Sequence, residues 1–132
     1  MKNASHDPID FDPILYAHLM KKYRESAPHD LADQWLLLET LHVVSQTQFI
    51  AHLRVHDLML HQAWRTRDWA EVSGQILRLL LVPLGHLTGR LPLGNSGRSD
   101  ISPFKPMPPR RDMAEVVAQA HRTIARAAEI PS

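Results

Sequence analysis

Apolar residues recur every three or four positions over most of this chain, the period of a helix with one buried face. Pro13 suits a first helical turn, where its missing N–H costs nothing. Ile14, Ala17, Leu19, Met20 and Tyr23 carry that helix to about Glu25, and Ser26-Ala27-Pro28 breaks it. Asp30 is a good N-cap for a second helix through about Val44. A third fits Thr47 to about Arg65. Asp68, with Glu71 three residues on, has the form of a capping box and opens a fourth, which Pro83 is expected to end. Asp112 and Glu115 open a last helix to about Ala128, with Met113, Val116, Val117, Ala120 and Ile124 as its packing stripe.

The pattern changes between Pro83 and Arg111. Gly85, Gly89, Gly94 and Gly97 punctuate this stretch, followed by Pro103, Pro106, Pro108 and Pro109. Loops this long are uncommon in compact domains unless they have a job. Leu87, Leu91, Leu93, Ile101, Phe104 and Met107 give the segment enough apolar surface to wrap along the helices. Residues 1–12 hold few apolar groups and read as a loose arm, leaving 13–132 as one helical domain. Asp30-Leu31-Ala32-Asp33 is echoed by Asp68-Trp69-Ala70-Glu71, each opening a helix after a short turn. The expected fold is therefore all-α: stacked antiparallel helical hairpins of tetratricopeptide type, the Gly/Pro-rich segment over 83–111, and a final helix over 112–128.

On a helical wheel, Leu31, Trp35, Leu38, Glu39, His42 and Gln46 share one stripe of the second helix. Phe49, His52, Leu53, His56, Met59, Leu60, Ala63 and Trp64 share a stripe of the third, which leaves His61 on the polar side. A turn near Ser45–Thr47 would bring Glu39 and His42 against His52 and His56. Buried carboxylates and imidazoles need partners. Two arrangements supply them: a transition metal ligated by all four residues, or a closed hydrogen-bond network. Gln46 is placed to orient or supplement the ligands in either case. Zinc and iron head the metals that accept this donor set.

Composition narrows the function classes. The chain has 132 residues, a net charge of +1 and no cysteine, so thiolate sites, disulfides and a cysteine nucleophile are excluded. No broad basic field recruits nucleic acid or anionic membrane. The N-terminus is polar and acidic, unlike a signal peptide, and a cytoplasmic location is expected. The run from Gly89 to Ser96 has the outline of a phosphate loop, but Asn95 stands where lysine belongs and a helix precedes it. A small anion nest or a tight turn remains for that stretch. Lys105, Arg110 and Arg111 form too small a basic cluster for a nucleic-acid footprint. Trp35 and Trp64 lie on packing stripes.

Residues 52–102, together with Pro103-Phe104-Lys105-Pro106-Met107-Pro108, carry a more specific signal. With Glu39, His42 and Gln46, their pieces are His52 and His56, Arg67-Asp68-Trp69, Glu71, Gln75, Arg78, the Gly94–Gly97 turn and Pro106–Pro108. In this combination the chain resembles a bacterial family catalogued as a domain of unknown function, number 3703, from about Tyr23 to Met113. The resemblance implies a small helical bacterial protein and brings no activity or catalytic residues.

The functional expectation is metal binding through Glu39, His42, His52 and His56, in sensing or handling. The rival from another class is a tetratricopeptide-like interaction module with structural histidines and no metal. A metal-dependent hydrolase or oxygenase is the third. A homodimer or a protein partner is the expected association.

Overall fold

The computed structural model describes residues 10–130 and contains five helices: α1 (Pro13–Glu25), α2 (Leu31–Ser45), α3 (Phe49–Arg65), α4 (Trp69–Thr88) and α5 (Arg111–Ala128). No strand occurs among the described residues. The loose arm expected over 1–12 lies outside them up to residue 9. No helix among them is long and apolar enough to cross a membrane.

Side-chain caps set most helix starts. Asp12 accepts from the amides of Ile14 and Leu15, Asp30 from Asp33, Gln48 from Ala51 and Asp68 from Glu71. The Asp68–Glu71 pair forms only half of the expected capping box. The Asp68 amide already donates to Ala63, and the Glu71 carboxylate turns inward. Pro83 does not end α4 either. The helix runs on to Thr88 and stops at Gly89, whose φ of 69° supplies the left-handed cap. Proline removes one hydrogen bond. Tertiary contacts hold the extra turn in compensation: His86 bonds to His52, and Phe49 meets its ring edge to face at 5.2 Å.

α2 is the central helix. Every residue from Leu37 to Gln46 is buried, so the single packing stripe expected for it understates its contacts. The sequence LLLETLHVV is apolar nearly all round, which suits a helix with neighbours on several sides. α1, α3 and α5 pack on it, and α3 packs on α4. Leu15, Leu19, Met20, Leu37, Leu38, Leu41, Val44, Val55, Met59 and Ala120 form the core, with Val116, Val117 and Ile124 of α5 against it.

The stretch between α4 and α5 has no regular secondary structure, yet residues 94–97 are buried. Buried backbone needs partners, and buried side chains provide them. Gln46 donates to Pro92 O at 2.9 Å and accepts from the Gly94 amide at 2.7 Å. Asn95 donates to Ser102 O and Lys105 O, and Gln75 donates to Gly97 O. Of the two tryptophans expected on packing stripes, Trp35 packs against the core and Trp64 does not. Trp64 is 62% exposed and stacks edge to face with Trp69 at 5.2 Å. The Arg98 guanidinium lies 3.7 Å above the Trp35 ring.

Candidate metal centre

The turn between α2 and α3 folds His42 of one helix against His52 and His56 of the next, one turn apart. All three rings are buried, and their ligand nitrogens lie within 4.8 Å of one another. His42 Nε2 is 3.1 Å from His56 Nε2 and 3.0 Å from His52 Nε2.

The opposite nitrogens define the protonation. His42 Nδ1 lies 2.7 Å from Asn95 O, a carbonyl that can only accept, so Nδ1 carries the proton. His56 Nδ1 lies 2.7 Å from Gln75 Oε1. That amide cannot be reversed, because Gln75 Nε2 donates to Glu71 Oε1 and Gly97 O, both acceptors. His56 therefore also carries its proton on Nδ1. In the neutral rings both Nε2 atoms are bare lone pairs, pointed at each other with no hydrogen between them. His52 Nδ1 pairs with His86 Nε2 at 3.0 Å, and this bond serves either tautomer.

Protonation does not relieve the contact at neutral pH. Burial, then the neighbouring His56 and His52, pushes His42 well below the usual imidazole range. Burial first, then His56 and His86, brings His52 down to about 3. Burial also dominates at His56, lowering it to about 4 despite the Gln75 hydrogen bond. Neutral imidazoles with bare, converging nitrogens are the form that ligates a metal. Imidazoles whose far nitrogens donate to a carbonyl or amide oxygen are oriented as metal-ligating histidines commonly are.

Glu39 is not part of this cluster. Its carboxylate is paired with Arg98, at 3.4 Å, and with Arg110. Arg98 also reaches Glu71 at 3.3 Å. The expected four-ligand set is thus corrected to three imidazoles, the carboxylate being drawn off by two arginines from outside the helix pair. Gln46 spends its side-chain amide away from the imidazoles. It pins the 92–94 backbone, and so fixes Asn95, the acceptor for His42. His61 is exposed, as its wheel position indicates.

Other residues complete the site. His86 was placed beyond the expected end of α4. Gln75, Glu71 and Arg78 form a buried row on that helix. Burial opposes ionisation of Glu71, but hydrogen bonds from Ser99 and Gln75 and the Arg98 charge outweigh it, holding the carboxyl below its ordinary value. The 94–97 turn is no anion nest. The Gly94 amide is taken by Gln46 and the Gly97 amide by Asn95 Oδ1 at 2.9 Å. Gly97 packs flat on His42, where an added Cβ would lie 2.7 Å from the ring Cδ2.

The three histidines face a cavity of about 270 Å³. Its other walls come from the C-terminal half of α4 and the following segment, among them Leu81, Val82, Leu84, Leu91 and Phe104.

Fold and site together define a small all-helical protein built around a buried three-histidine cluster that could hold a metal ion. The chain belongs to the family described as "Protein of unknown function (DUF3703)", whose model matches residues 13–117. Glu39, the clustered histidines, Gln75 and the 94–97 turn all fall within that match. No curated protein and no solved structure matches the chain.

Proposed function

We propose that this protein binds one divalent transition metal through Nε2 of His42, His52 and His56, with zinc and iron(II) the leading candidates. The observation that carries the proposal is the contact of His42 and His56, whose lone pairs meet at 3.1 Å while acceptors hold their protons on the far side. A cation about 2.0–2.1 Å from each nitrogen would satisfy them together. Three protein nitrogens leave at least one coordination position open, and the adjoining cavity gives it access. That favours a metal that meets a ligand over a closed structural clamp. In this reading the helices form stacked antiparallel hairpins, and the segment from Gly89 to Arg110 clasps the site. The rival interaction module requires a closed hydrogen-bond network: His52 Nε2 can donate to His42 Nε2 at 3.0 Å, but His56 Nε2 then still faces only another acceptor.

Calorimetric titration of chelator-stripped protein with zinc tests the proposal. One equivalent should bind, and His42→Ala or His56→Ala should abolish binding, while His61→Ala, outside the cluster, leaves it unchanged. Binding that survives both cluster variants would overturn it.

A further inference from the structure

Charge determines what this site takes. The three proposed ligands are neutral, so a divalent ion brings two positive charges into a buried place with no carboxylate to offset them. Glu39 and Glu71 are already committed to Arg98 and Arg110. The cavity wall adds to the excess: two arginines, Arg78 and Arg90, line it, and no Asp or Glu does. Arg78 is 4% exposed. Its guanidinium donates to the backbone oxygens of Gly74, Arg98 and Ile101, and no carboxylate lies within ion-pair distance of it among the described residues. Glu71 and Asp100 offset that charge only from beyond ion-pair distance, and buried charge without a direct partner is expensive, which makes the cavity a place for an anion.

The rest of the wall is apolar. Leu81, Val82, Leu84, Leu91, Pro103 and Phe104 surround the space in front of the histidines. A hydroxide would supply negative charge but leave these walls facing water. At about 270 Å³ the cavity falls just below the range of ligand sites, which start at roughly 300 Å³, and so suits only a small molecule.

We infer that the cavity binds a small organic monocarboxylate, its carboxylate on the metal and its short hydrocarbon body against the leucines and Phe104. The inference rests on the metal-binding reading above and deepens it. It differs from simple metal handling in requiring one specific class of exogenous ligand.

The test uses the full chain loaded with cobalt(II), whose visible absorption reports both binding and coordination changes, titrated with acetate, butyrate and butyramide. Butyrate should change the spectrum saturably. Its two additional methylenes should make it bind about tenfold more tightly than acetate. The neutral butyramide should bind at least tenfold more weakly than butyrate. Leu84→Asp, at a half-exposed wall position, should weaken butyrate at least tenfold while cobalt affinity holds. Absence of cobalt absorption defeats the metal reading itself. Cobalt binding with a spectrum indifferent to butyrate leaves that reading standing and overturns this one. Equal affinities for acetate and butyrate, or for butyrate and butyramide, overturn it as well, as does a Leu84→Asp protein that binds butyrate normally.

Discussion

His42 and His56 present bare Nε2 atoms to each other across 3.1 Å, and neither ring has a proton to offer the other. Asn95 O and the Gln75 amide hold those protons at Nδ1. A core histidine serving only the fold would spend its second nitrogen on a donor. Here the polar surroundings of both rings keep those two nitrogens without protons, and the donor within reach is His52, whose Nε2 lies 3.0 Å from His42 Nε2.

Gln75 should therefore matter to a metal it never touches. Gln75→Leu keeps the side-chain volume but removes the acceptor for His56. Loss of such an orienting partner typically costs about 10–100-fold in metal affinity. Competition against a chromophoric chelator should show a loss in that range, with stoichiometry still at one. Unchanged affinity would mean that the ring is oriented by packing alone.

Glu39 should show the opposite behaviour. Glu39→Gln removes the charge that faces Arg98 and Arg110, both partly exposed, and should destabilise the fold by roughly 1–3 kcal/mol. Zinc affinity should stay within about twofold of the parent's. Urea unfolding and zinc titration of the same preparation separate the two effects, and a large fall in affinity would return Glu39 to the ligand set.

The contrast shows what was legible in the sequence. Helix existence and most starts were readable from local signals such as Pro13, Asp30 and Asp68, because caps act within one turn. The meeting of His42 with His52 and His56 followed from period and turn length. The destination of Glu39 did not, because its partners at 98 and 110 lie on a segment no helical wheel can place. His86 was lost to a local rule. Ending α4 at Pro83 hid the spacing Gln75, Arg78, Val82 and His86, which runs along one helical face towards the site. Glu71, Gln75 and Arg78 were visible as pieces of the family pattern, while their role needed the fold.

Gly97 gives a steric test. Its φ is 82°, and a Cβ there would lie 2.7–2.8 Å from His42 Cδ2 and Cγ. Gly97→Ala should destabilise the protein by roughly 1–3 kcal/mol, from backbone strain and overpacking. It should also weaken metal binding by displacing the His42 ring. Retained stability and affinity would show that the turn can move off the imidazole freely.

The metal-free protein should weaken in mild acid. His56 and His52 titrate near 6.5 in an unfolded chain but only at about 4 and about 3 when buried here, and His42 is lowered too. Across that interval the unfolded state holds more protons, so stability present above pH 6.5 is lost progressively as pH falls towards 4. The lowered carboxyls of Glu71 and Asp112 contribute stability that is lost only at lower pH. Urea midpoints of metal-free protein should drop between pH 7 and pH 5. Equal midpoints would mean that the imidazoles are solvated.

Metal content of the protein as isolated tests the central claim most directly. Untagged chain, purified without chelator or a nickel column, should carry about one equivalent of a single transition metal by elemental mass spectrometry. The His42→Ala and His56→Ala proteins should carry none, and Glu39→Gln should carry the parent's amount. No metal in the parent, and no thermal shift on adding zinc, iron(II), manganese or nickel, would contradict the account and make the three histidines part of the core.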